Sequence, residues 1–119
     1  MTLKEALHPL LMLDGLVTLA VLANDGLPVE VVGYDNSDAF AAELATVAKV
    51  ARQGFGSLEL GPAGRVCVSI EDLEATVVPL EGHVLVAVFE KSNSAAALQM
   101  IDKTKAQLES ALGATYELS

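Results

Sequence analysis

Residues 14–34, DGLVTLAVLANDGLPVEVVGY, constrain the chain more than any other stretch. Leu16 to Leu22 is apolar at every position but Thr18. A strand with no polar face has to be covered on both sides, so this run reads as a central strand. Asn24-Asp25-Gly26 interrupts it, and Pro28 to Tyr34 returns rich in valine. Asp and Gly accept the positive φ that tight turns need, so the two runs read as a β-hairpin. In the second strand, Val29, Val31 and Gly33 share one face, and Glu30, Val32 and Tyr34 the other.

With 119 residues, the chain has the length of a single domain over 1–119 and can bury a core without disulfides or metal. Hydrophobic residues make up 52%, aromatics 4%, and there is no Trp, so the core must be built from Val, Leu and Ala. The net charge of −9 argues against nucleic acid and anionic membrane as partners and suits a basic patch on another protein. Cys67 is the only cysteine, so no internal disulfide can form. The N-terminal MTLKEALHPLLMLDG is too acidic and interrupted for a signal peptide. No run approaches the ~20 apolar residues of a spanning helix. The expectation is a cytoplasmic protein without membrane insertion.

Thr2-Leu3-Lys4-Glu5 is a capping-box pattern, with the Thr2 hydroxyl and the Glu5 carboxylate each reaching the other's amide. Leu3, Ala6, Leu7, Leu10 and Leu11 then recur on one helical face. Pro9 conflicts with this helix; it is expected to kink or split it, at ~3 kcal/mol if the helix is continuous. After the hairpin, Ser37 reads as the N-cap of a helix from Asp38 to about Gln53. As a calcium loop, Asp35 to Asp38 would lack the later ligands and the Glu that such sites need.

That helix carries two stripes. Phe40, Leu44, Val47 and Ala51 are expected to lie on the sheet, with Ala41, Ala45 and Ala48 beside them. The alanines allow two readings: a half-exposed face favoured by helix propensity, or a close helix–helix contact between two copies. Gly54-Phe55-Gly56 reads as the helix stop. Residues 57–64, with Pro62 and two glycines, read as a loop, and no Gly-Lys-Ser/Thr follows to make it a phosphate loop. Arg65 to Glu71, Ala75 to Leu80 and His83 to Phe89 are three strands with short connections, an antiparallel meander. In the first, Val66, Val68 and Ile70 share a face. Pro79 belongs at a strand end or edge. Ser92-Asn93-Ser94 caps a last helix, Ala95 to Leu112, with Ala97, Leu98, Ile101, Leu108 and Leu112 inward and Lys105 snorkelling. Gly113 reads as its stop, with a loose tail after it.

No catalytic residue emerges. His8, His83 and Cys67 are not at ligand spacing, and no base or electropositive setting accompanies Cys67. Ser69 lacks a glycine elbow. Glu71, Asp72 and Glu74 share a turn, where a solvated acidic patch outweighs acid–base work. Arg52 and Arg65, the only arginines, read as surface charges rather than as a finger for a nucleotide.

The order is α-β-β-α-β-β-β-α, an α+β fold. The Asp14-Gly15 lead-in, the Asp25-Gly26 turn with Leu27-Pro28, the Ala-rich helix and the strand trio with Val77-Val78-Pro79-Leu80 together resemble the Roadblock family, which includes MglB-like proteins. The resemblance covers nearly the whole chain. It implies a profilin-like five-stranded antiparallel sheet flanked by helices and extended across a homodimer. The implied interface takes Ala41, Ala45, Ala48 and Arg52 from the central helix and Val66, Val68 and Ile70 from the third strand. It implies no cofactor and no active site, and the ligand spacing above gives no metal site. It also implies a Ras-like small GTPase as partner, regulated by reshaping rather than by donated catalytic groups. A structural dimerisation adaptor and a small-ligand sensor are the alternatives.

Overall fold

The hairpin at the heart of the sequence forms from β1 (Leu16–Ala23) and β2 (Pro28–Val32). The Gly26 N–H donates to the Ala23 carbonyl at 2.9 Å, and the Ala23 N–H donates to the Leu27 carbonyl at 2.8 Å. Gly26 supplies φ +90° at the point where the chain must reverse, and the Leu27 N–H donates to Asp25 Oδ1 at 3.1 Å. The Asp-Gly pair thus acts as the sequence indicated, Asp by closing an Asx-turn and Gly by its φ. The structure, a computed structural model, describes residues 2–33, 37–57 and 64–117.

The other elements are α1 (Leu3–Leu11), α2 (Ser37–Ser57), β3 (Val66–Ile70), β4 (Leu73–Leu80), β5 (His83–Glu90), a 3-10 turn (Lys91–Asn93) and α3 (Ser94–Glu117). The five strands form one antiparallel sheet in the order β2-β1-β5-β4-β3. β1 and β5 are therefore interior. β1 turns Leu19 and Val21 to one face and Ala20 and Leu22 to the other, all buried. β5 is buried from His83 through Phe89.

The two faces of the sheet are unequal. On one, α1 and α3 bring Leu7, Leu10, Ile101 and Leu108 against Leu19, Leu85 and Phe89. Burial of each such side chain contributes about 1.5–3 kcal/mol, so among the described residues this face carries most of the core. On the other face lies α2, whose described buried residues are Ala41 and Leu44. The sheet beneath it is bulky, with Leu22, Val77, Val84, Val86 and Val88.

Three expected breaks are absent. α1 is continuous through Pro9, which sits in its last turn with two helical residues after it. A proline this near the end removes one hydrogen bond and leaves little helix to displace. α2 runs through Gly54-Phe55-Gly56 to Ser57, and α3 runs through Gly113 to Glu117. One helical glycine costs about 1 kcal/mol, less than the buried side chains of α3 return. The capping box is half formed. The Glu5 N–H donates to the Thr2 hydroxyl at 3.2 Å, while the Glu5 carboxylate accepts from that hydroxyl at 3.1 Å. Pro79 is the penultimate residue of β4, past Val77, the last residue of β4 that β3 pairs. Its missing N–H therefore costs that ladder nothing.

Candidate functional site

β3 is an edge strand, and its sequence, VCVSI, has no proline, charge or glycine. It offers a row of backbone N–H and C=O groups and carries neither the proline nor the charged side chains that blunt many edge strands. β2, the opposite edge, begins with Pro28 and carries Glu30. The two edges thus differ, and β3 is the one suited to meet another strand. Val66 and Val68 are half-buried and pack on the α2 side of the core, leaving part of each at the margin.

On the same side of the sheet, the outer surface of α2 is apolar. Phe40, Val47 and Val50 are 39%, 54% and 63% exposed. Their spacing of seven and three residues puts them on one side of the helix, the spacing of a seam between helices. Glu43 falls in the same row and is exposed. Large apolar side chains aligned in water mark a surface for association more than scattered ones do.

This arrangement corrects the expected roles of the two stripes. Phe40 and Val47 do not lie on the sheet. Ala41 does, fully buried in a single chain, so it has no surface to give a partner. Ala45 is half-buried and packs on the same core. Complementary volumes explain the reversal. The sheet supplies bulky side chains, so the helix face that fits closely over them is the small one. The Ile70 backbone pairs with Leu73. The side chains of Ile70, Ala48, Ala51 and Arg52 lie outside the described residues, as do Asp35 and Asn36.

The remaining candidates are dispersed. Cys67 is exposed on β3, its Sγ 3.0 Å from Thr76 Oγ1. His8 is exposed on α1, and His83 is buried at the start of β5 with Nδ1 3.3 Å from the Glu81 carbonyl. Arg65 pairs with Asp102 at 3.0 Å, both partners largely in solvent, an interaction worth ~1 kcal/mol at most. Glu71 and Asp72 are exposed in the β3–β4 turn. Among the described residues, no group of three or more His, Cys, Asp or Glu could hold a metal ion. No helix among them is long and apolar enough to cross a membrane.

Sequence comparison finds no matching family model and no significant match among curated proteins. Solved structures share the fold. A Roadblock/LC7 domain from Streptomyces avermitilis matches with a TM-score of 0.77 over 100% of both chains, at 18% identity. The gliding protein MglB from Thermus thermophilus matches at 0.79 over 92% of this chain and 87% of its own, at 15% identity. An MglB with a tetrameric arrangement matches at 0.79 over 92% and 86%, also at 15% identity. The chain has the Roadblock fold: an α+β five-stranded antiparallel sheet with α2 on one face and α1 and α3 on the other.

Proposed function

We propose that this protein is a non-catalytic regulatory or scaffolding partner of a Ras-like small GTPase, acting as a homodimer in the cytoplasm. The observation that carries this reading is the exposed apolar row Phe40, Val47 and Val50 on α2, on the side of the sheet where the edge strand β3 packs Val66 and Val68. A second copy fits both at once. Antiparallel β3–β3 pairing satisfies the free backbone groups, and the same two-fold relation places one α2 against the other. The interface of the proposal keeps Val66, Val68, Ile70, Ala48 and Arg52 from the sequence reading. It replaces Ala41 and Ala45 by Phe40, Val47 and Val50.

The resemblance to the Roadblock family supports the GTPase as partner, and the likeness in fold to MglB is consistent with it. Such a role needs no active site in this chain. A regulator shifts a GTPase between its states in proportion to its differential affinity for them. The net charge of −9 favours encounter with a basic surface.

The deciding experiment measures affinity of the dimer for the Ras-like GTPases of its own organism, loaded with GDP or a GTP analogue. One nucleotide form is expected to bind at least about fivefold more tightly, the low end of typical coupling energies. Equal affinity for both forms, or none for either, would overturn the regulatory reading.

A further inference from the structure

The inner flank of α2 does not close on the hairpin. Between that flank and the β1–β2 turn is a cleft of about 560 Å³, within the range of small-molecule sites. Its apolar surface comes from Ala23, Ala45 and Val84, and its polar groups are Asn24, Asp25, Thr46 and Lys49. Small side chains on both walls keep the space open.

The polar groups are unevenly engaged. The Thr46 hydroxyl donates to the Ala42 carbonyl at 3.1 Å and is satisfied within its helix. Asp25 uses one oxygen, Oδ1, on the Leu27 N–H, and Oδ2 has no partner among the described residues. The Lys49 ammonium and the Asn24 carboxamide likewise make no hydrogen bond or ion pair among them. Lys49 and Asp25 line the same cleft without pairing with each other. A ligand anion alone would meet Lys49 but also the Asp25 carboxylate. A cation alone would meet the reverse. A molecule carrying both charges with an apolar body suits all the surfaces at once.

We propose that the cleft between α2 and the β1–β2 turn binds a small apolar zwitterion of the α-amino acid class. Lys49 meets its carboxylate, Asp25 Oδ2 its ammonium, and Ala23, Ala45 and Val84 its side chain. The mouth is open to solvent, so water shares the remaining volume. At 100° per residue, Ala42, Ala45 and Lys49 lie on the flank of α2 opposite Phe40 and Val47. Occupancy is therefore compatible with the proposed dimer.

The test is an amide NMR titration of the full chain with L-leucine, 4-methylpentanoate and isopentylamine. The last two are leucine without its ammonium and without its carboxylate. Leucine is expected to give saturable shifts at Asn24, Asp25, Gly26, Thr46 and Lys49. Each half-ligand is expected to bind about tenfold more weakly, the loss of one charge-assisted hydrogen bond. Lys49→Gln and Asp25→Asn should each weaken leucine by a similar factor. Asn can replace Asp in the turn, so the fold is retained, and an unchanged Tm checks this. Ala42→Leu, which narrows the cleft, should abolish binding at unchanged Tm. No saturable shift with leucine up to about 10 mM, tenfold above a ~1 mM Kd, overturns the proposal. So does equal binding of leucine and 4-methylpentanoate, or full binding by Lys49→Gln.

Discussion

The Glu90 N–H donates to the carbonyl of Gly15 at 2.9 Å, tying the end of β5 to the start of β1. The Asn93 carboxamide donates to the neighbouring Asp14 carbonyl. Together these bonds join the α1–β1 lead-in to the β5–α3 connection, so both helices of the thicker layer are set from one point. Gly15 has φ +81°, and a Cβ there would stand 3.2 Å from Asn93 Cγ and 3.3 Å from Glu90 Cβ. Gly15→Ala should therefore cost more than the ~1–2 kcal/mol of a left-handed residue alone. Gly26→Ala, at φ +90° in open space, should cost only that. Urea unfolding of both variants checks this, and equal losses would remove any role for the Asn93 contact.

The reversed stripes of α2 give a sharper pair of variants. Val47→Glu faces solvent in the single chain and should change monomer stability by ~0.5 kcal/mol or less. It should nevertheless shift the protein to half its mass in light scattering coupled to size exclusion. Ala41→Leu should overpack the contact with the sheet and lower stability by ~1–3 kcal/mol. A dimer that survives Val47→Glu together with Val50→Glu would place the interface elsewhere.

Glu71 takes φ +50° in the β3–β4 turn, a region an L-residue enters at a cost. Glu71→Gly should relieve this and raise stability by ~0.5–1 kcal/mol, net of glycine's greater unfolded-state entropy. Thermal unfolding reads the change directly. A clear loss would mean that the Glu71 side chain contributes through its surroundings.

If the protein stimulates a GTPase, it should do so through binding. Arg52→Ala and Arg65→Ala should each leave the stimulated rate within about tenfold, or ~1.4 kcal/mol. For Arg65 the structural reason is its engagement with Asp102. Association should slow as salt rises, because the acidic surface steers the encounter. A collapse of the rate in either variant, with binding and dimerisation intact, would identify a supplied arginine.

The sequence was most readable where one residue type admits a single backbone solution. Asp25-Gly26 placed the hairpin, and the continuous apolar run of β1 required cover on both faces, which Leu19 and Ala20 receive. It was least readable where competing terms are small. The glycines at 54, 56 and 113 lower helix propensity by about 1 kcal/mol each, and at Gly113 the buried Leu108, Ala111 and Leu112 outweigh that. The stripes of α2 were visible as stripes, but side-chain size misassigned them. Which stripe faces inward depends on the sheet beneath, and the bulk of Val77, Val84, Val86 and Val88 is a property of distant strands. The cleft left no mark in the sequence, since Asp25 and Lys49 meet only through the packing of α2 on the hairpin.

The inequality of the two sheet edges sets how far assembly can run. A β3-paired dimer would present β2 at both outer margins of a continuous sheet. Were those margins as bare as β3, each dimer could recruit another, and growth would proceed into an open filament. Pro28, which lacks a donor, and the charge of Glu30 make each margin a poor template. In the proposed dimer, one edge would thus invite addition and the other terminate it, which would hold growth of the sheet to two copies.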